Sequence, residues 1–304
     1  MTPTNATSSR TRPVPAHARA TRAQDLLTLT KPSIIVLAMV TATGGAMLDG
    51  RPMAGWRLVA TLVGTGLLVA AAAALNQLLE RRTDALMTRT ARRPLPEGRV
   101  TPAFVLGMGL SLGAAGALTL FAAVNALTAA LGAFALVSYV LIYTPLKRRT
   151  SFALVVGAVP GALPALMGWT AKTGRIGVPG LVLFGILFLW QLPHFIAIAS
   201  YLKEDYARGG IRVAPLTQGD RVARIEAVTA AAALWLVSLL LVPLGGAGPI
   251  YFVGALVLGA AFVAYGALGL RRSAGARWAR SYFLASLAYL PALTGVLALD
   301  LWAR

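Results

Sequence analysis

Nine uncharged, predominantly apolar stretches constrain this chain more than any other feature. They cover about 33–48, 58–79, 101–123, 126–146, 150–171, 176–200, 227–244, 250–270 and 281–299. A helix needs roughly 20 such residues to cross a hydrocarbon core. In lipid an unpartnered backbone N–H or C=O is costly, and a helix satisfies these groups internally. The expected fold is therefore all-α and polytopic, nine transmembrane helices around a central cavity. Two long uncharged stretches are divided at Asn125 and at 243–249, where Pro and Gly signal tight turns.

The basic residues fix the orientation. With the amino terminus cytoplasmic, 23 of the 28 Lys and Arg fall in the amino-terminal segment and the even-numbered loops; only Arg51, Arg57, Lys172, Arg175 and Arg304 do not. Merging either divided stretch would invert the loops downstream and spoil that separation. The formal charge of +18 is thus distributed by loop, not gathered on one aromatic-bearing patch, which argues against nucleic acid. The absence of cysteine excludes disulfides, thiolate metal ligands and thioether attachment of a cofactor. Residues 1–24, with four Arg, three Pro and no acid, read as a disordered cytoplasmic tail. An Arg-rich, acid-free start also suits an organellar transit peptide, but Pro3, Pro13 and Pro15 oppose an amphipathic helix there, so a cell inner membrane is favoured over a mitochondrial one.

The candidate site lies where the second apolar stretch ends. Asn76, Glu80 and Asp84 are four residues apart, a drift of about 40° per step on a helix, so they share one stripe. Three oxygen-bearing groups in a column suit Mg²⁺, which keeps further positions for water and substrate phosphates. Arg89 and Arg93 follow closely, and carboxylates with arginines suit a metal-bound polyphosphate. A solvated membrane boundary explains the mixed charges equally well by spacing. Asn76 and Gln77, still inside apolar sequence, tip the reading toward a site.

An offset of 121 residues relates Asp84 and Pro94-Leu95-x-x-Gly98 to Asp205 and Pro215-Leu216-x-x-Gly219. It suggests an internal repeat, about 58–150 and 179–271, within one domain of residues 25–304. Four crossings per copy keep the orientation, so the two charged loops are expected to face each other across one cytoplasmic-side cavity. The second loop adds Lys203, Asp205, Tyr206 and Arg208; the third inner loop adds Lys147 and Arg148. Gln191 and His194 sit inside an apolar run, where polar groups face a cavity or a neighbouring helix. His194 suits substrate orientation, and equally a structural bond to a backbone carbonyl beside Pro193.

These residues resemble the intramembrane aromatic prenyltransferases, and among them the haem-farnesylating branch. The markers are Leu29-Thr30-Lys31-Pro32; Asn76 with Glu80 and Asp84; Arg89-Thr90 with Arg93-Pro94-Leu95; Tyr143-Thr144-Pro145-Leu146-Lys147-Arg148; Trp190-Gln191-Leu192-Pro193-His194-Phe195; Asp205-Tyr206; and Ser286 with Tyr289-Leu290-Pro291. The Gln-Leu-Pro-His-Phe run selects the haem branch over quinone-forming relatives. Three departures stand out: Glu80 replaces the usual middle Asp, Arg82 occupies a position that is often another acid in haem-type members, and Asp205 lacks a second acid four residues away.

The resemblance implies transfer of a farnesyl group from farnesyl diphosphate to a vinyl group of protohaem IX (haem B), giving haem O. It implies Mg²⁺ on Asn76, Glu80 and Asp84, with Asp205 assisting from the facing loop. Arg89, Arg93, Lys147, Arg148, Lys203 and Arg208 would contact the diphosphate, and His194, Gln191 and Tyr206 the haem. Membrane lipid, and other haem-biosynthesis or oxidase-assembly proteins, are the further partners it suggests. Prenylation of an aromatic quinone precursor and non-catalytic transport are the alternatives.

Overall fold

Proline and small polar residues mark where the helices begin. In the computed structural model, which describes residues 21–304, the first helix is α1, Arg22–Thr30. Thr21 caps it: its hydroxyl accepts from the Gln24 N–H while the Gln24 side chain accepts from the Thr21 N–H. Residues 22–24 are therefore helical rather than part of a tail, and residues 1–20 of the expected tail lie outside the described residues. Lys31 turns the chain with φ +52°, and Pro32 opens α2, Pro32–Met47, at 43° to α1. Long helices follow: α3, Gly55–Asp84; α4, Pro102–Ala123; α5, Ala126–Leu146; α6, Ala153–Thr173; α7, Val178–Tyr201. After the short α8, Lys203–Arg208, and α9, Ala214–Thr217, come α10, Asp220–Leu239; α11, Pro249–Leu270; and α12, Ala276–Ala303. Eight long apolar helices plus the bent α1–α2 pair make up to nine crossings among the described residues, as expected. The divisions fall where the turn signals stand, Asn125 capping α5 through the Thr128 N–H and a Gly-rich turn separating α10 from α11.

Apolar side chains face outward, where lipid replaces water: Leu118, Phe121, Leu141 and Leu236 are largely exposed. Inward positions are small, and Ala71, Ala74, Ala158, Ala162 and Ala165 are fully buried. Lipid is as apolar as leucine, so close backbone approach must hold the helices together. A Cβ at Gly168 of α6 would overlap the Ala42 carbonyl of α2, and a Cβ at Gly64 of α3 would lie 2.6 Å from the Leu120 side chain of α4. Helices α2, α3, α5, α6 and α7 thereby enclose the interior, while α10, α11 and α12 pack behind α7.

Proline also shapes the wall of α5. Pro145 has no N–H, so the carbonyl four residues earlier loses its donor, and the helix widens to a π-turn over Ser138–Tyr143 in which the Thr144 N–H reaches the Tyr139 carbonyl. Tyr139 and Tyr143 are thereby turned inward. At the far side Asp300 accepts from the N–H groups of Gly248 (2.7 Å) and Tyr251 (3.2 Å), satisfying the free start of α11.

Gly168→Val should overpack the α2–α6 contact, a class of change that costs about 1–3 kcal/mol. The expected outcome is a thermal unfolding temperature in detergent several degrees below that of the parent; an unchanged temperature would contradict the contact.

Candidate functional site

The four-residue column survives folding. Asn76, Glu80 and Asp84 occupy the last turns of α3, all buried, and line one chamber of about 340 Å³. Each side chain is held by a different element. The Asn76 Nδ2 donates to Thr144 Oγ1 (3.0 Å), and that hydroxyl spends its proton on the Tyr139 carbonyl (2.8 Å). The Asn76 Oδ1 is thus left toward the chamber. The Lys147 ammonium donates to Glu80 (2.9 Å) while lying 4.5 Å from the centre of the Tyr143 ring. The Arg93 guanidinium donates to Asp84 Oδ2 (2.7 Å), and Thr90 Oγ1 donates to the Asp84 backbone carbonyl (2.8 Å). The other Asp84 oxygen, Oδ1, is buried with no hydrogen-bond partner among the described residues. An orphaned carboxylate oxygen beside a free amide oxygen and a carboxylate is a hard, all-oxygen donor set, which fits Mg²⁺.

Five cationic side chains line this chamber, Lys31, Arg89, Arg93, Lys147 and Arg212, against two carboxylates. The excess of positive charge suits a polyphosphate. Arg89 stands 5.4 Å over the Tyr206 ring, which also lines the chamber.

A second, apolar cavity of about 260 Å³ continues from the first between α2, α3, α5, α6 and α7. Along α3 it runs from Ala73 back to Thr65, and along α5 from Tyr139 back to Gly132, a depth of about 10 Å at the helical rise. Lys31, Ile34, Tyr139, Gly161, Gln191 and Phe195 line both cavities and mark their junction. The Gln191 Nε2 donates to the Ala158 and Leu187 carbonyls (3.1 and 3.0 Å), bridging α7 to the proline-interrupted α6. His194 lines the apolar cavity, stacked on Trp190. Its Nδ1 lies 2.8 Å from Ser286 Oγ, whose own proton goes to the Phe283 carbonyl (2.6 Å). The imidazole therefore donates through Nδ1–H and keeps the Nε2 lone pair. The structural partner of His194 is a serine of α12, not a neighbouring carbonyl.

Four expected residues are elsewhere. Arg148 is exposed and outside the chamber. Lys203 pairs with Asp220 (2.9 Å). Arg208 bonds Thr88 Oγ1 (2.9 Å) and Asp205 (2.7 Å). Asp205 itself accepts from the N–H groups of Thr88 (2.7 Å) and Arg89 (3.4 Å). The two charged loops do meet, but Asp205 faces the opposite side of the contact and lines a separate, open cavity of about 670 Å³. Burial alone would raise its pKa; the Arg208 bond and the two backbone donors outweigh it and hold the carboxyl below the ordinary carboxylate range. Asp205 therefore positions the Thr88–Arg89 turn. The functional geometry also includes Lys31, Tyr139, Tyr143, Thr144, Arg212 and Ser286, to which spacing assigned no role. The Lys31-Pro32 pair and the Tyr143-Thr144-Pro145 triplet were the available signals.

The match to the model of the UbiA prenyltransferase family covers residues 37–287. A protein named protoheme IX farnesyltransferase from Anaeromyxobacter sp. (strain Fw109-5) is 51% identical over 93% of this chain and 94% of its own length. Among solved structures, that of a digeranylgeranylglyceryl phosphate synthase superposes with a TM-score of 0.79 at 14% identity, covering 93% of this chain and 99% of that one. A UbiA homolog from Archaeoglobus fulgidus bound to DMAPP and Mg²⁺ superposes with a TM-score of 0.64 at 15% identity, over 90% of this chain and 99% of that one. These two similarities concern the fold.

Because its pKa is lowered by folding, Asp205 contributes stability that is whole above the ordinary carboxylate range and is lost as pH falls through the lowered value. Asp205→Asn should unfold at a lower temperature than the parent, by an amount constant from about pH 5 to pH 8 and shrinking below about pH 4. Equal unfolding temperatures at pH 7 would contradict the positioning role.

Proposed function

The chain belongs to the UbiA prenyltransferase family, and from that premise we propose that it transfers the farnesyl group of farnesyl diphosphate to a vinyl group of haem B, giving haem O. The observation that carries the transferase reading is the pairing of a cation-rich chamber with an apolar tunnel that opens from it. A prenyl diphosphate has the same two halves. The name carried by the 51% identical relative supports haem as the acceptor over an aromatic quinone precursor, and favours transferase chemistry over transport.

In this reading Asn76, Glu80 and Asp84 would hold Mg²⁺, whose Lewis acidity would help neutralise the charge of the diphosphate. Arg93, Lys147 and Arg89, which line the chamber, would bind the phosphate oxygens. Arg93 and Lys147 also pair with Asp84 and Glu80. The tunnel receives the isoprenoid tail and excludes water from it. Tyr139 and Phe195 line the junction between chamber and tunnel, where aromatic rings would favour an allylic cation. His194, Gln191 and Tyr206 are the proposed haem-facing groups, His194 with a free Nε2 lone pair. Attack by the vinyl group forms the new C–C bond, and water captures the cation left on the former vinyl carbon, releasing a proton. Orientation follows the basic loops: chamber mouth and amino terminus on the cytoplasmic side of the cell inner membrane, where haem-biosynthesis or oxidase-assembly proteins would be partners.

The test is purified full-length protein with haem B, farnesyl diphosphate and Mg²⁺, read by product mass and pyrophosphate release. Haem O is the expected product, and Asp84→Asn should lower turnover by about a hundredfold or more while leaving membrane insertion intact. Unchanged haem B, with 4-hydroxybenzoate prenylated instead, would overturn the acceptor.

A further inference from the structure

We propose that Lys31 is the cation that meets the oxygen bonded to the prenyl C1, at the boundary between chamber and tunnel; this rests on the prenyl-transfer reading above. Of the six residues lining both cavities, Lys31 is the one that carries a charge. With the tail in the apolar tunnel and the phosphates in the chamber, the C1–O bond lies at that junction. When it breaks, its electron pair leaves with the diphosphate oxygen, and the prenyl carbon is left as the allylic cation. A fixed ammonium beside that oxygen is worth more as the charge develops than before.

Three further observations single out Lys31. First, its backbone is strained: φ +52° and ψ +68° make it the one non-glycine residue with positive φ among those described. Glycine would hold this conformation at no steric cost, so the lysine side chain is kept against the preference of the backbone.

Second, the surroundings over-determine its position. The Lys31 N–H donates to the Leu27 carbonyl (3.1 Å), closing α1, while Pro32 fixes the next φ. The Gln77 Nε2 reaches from α3 to the Thr28 and Leu29 carbonyls (3.1 and 2.9 Å). On the other side Arg99 pairs with Asp25 of α1 (2.9 Å), tying this helix to the arginine loop. Gln77, next to Asn76 on α3, thus couples the placement of Lys31 to the oxygen column.

Third, the Lys31 ammonium makes no hydrogen bond or ion pair among the described residues. The acids nearest to hand are engaged, Glu80 by Lys147 and Asp84 by Arg93. A cation placed at an apolar tunnel without a counter-ion is arranged for an anionic ligand.

Lys31→Gly separates charge from backbone. Turnover with haem B and farnesyl diphosphate should fall about a hundredfold in kcat, with the KM for haem within about threefold and an unfolding temperature at or above that of the parent. Lys31→Arg should recover at least a tenth of the parental kcat, and added ethylammonium should raise the rate of Lys31→Gly at least tenfold. If Lys31→Gly is also destabilised, amine rescue decides: rescue supports the proposal, and its absence overturns it. Turnover of Lys31→Gly within threefold of the parent would also overturn it. No pyrophosphate release by the unmodified protein would instead defeat the prenyl-transfer reading itself.

Discussion

Two carboxylates placed at the end of an apolar helix must be met by cations, and much of this bundle is built to bring the cations there. Glu80 and Asp84 are buried on α3, and their partners arrive from different segments, Lys147 from the end of α5 and Arg93 from the loop after α3. Removing one partner of such a buried pair leaves an uncompensated charge, at a cost of about 3–5 kcal/mol. The pairs therefore fix both loops against α3. Small residues make the remaining approach possible, since α2 meets α6 and α3 meets α4 at glycines.

The division of the interior into a charged chamber and an apolar tunnel follows from where helices are interrupted. Pro145 widens α5 and turns Tyr139 and Tyr143 inward; Pro160 and Pro164 interrupt α6; the break at Lys31 divides α1 from α2. Each interruption lies at the chamber, at the tunnel wall or between the two. Freed backbone groups are tolerated there because side chains from neighbouring helices reach them, as Gln77 reaches the end of α1 and Gln191 bridges α7 to α6. Asp205 serves the same end from outside the cavity: by gathering the Thr88 and Arg89 N–H groups and Arg208, it shapes the turn from which Arg89 enters.

Much of this was legible in the sequence because it is periodic or local. Apolar length and basic-loop counting place the crossings, and four-residue spacing places Asn76, Glu80 and Asp84 on one face. What escaped depends on contacts between distant segments. The bond from His194 to Ser286 spans 92 residues, and no local pattern signals it. Lys203 and Arg208 belong to the right loop, but their direction is set by Asp220 and Asp205, a matter of loop geometry. Lys31 was counted as a topological charge, because its strain and its isolation from acids exist only once α1 has folded against α3. The helical turn at residues 22–24 was hidden by the basic, proline-rich character of the residues before it.

In the proposed reaction, diphosphate and prenyl chain divide at one junction, between α3's oxygen column and the apolar tunnel. A structure of the protein with Mg²⁺ and farnesyl thiolodiphosphate tests it most directly. The expected complex has phosphates against Asn76, Glu80, Asp84, Arg93 and Lys147, C1 beside Lys31 and Tyr139, and the isoprenoid chain running toward Thr65 and Gly132. Phosphates seated instead in the outer cavity beside Asp205, Lys203 and Arg224 would contradict it.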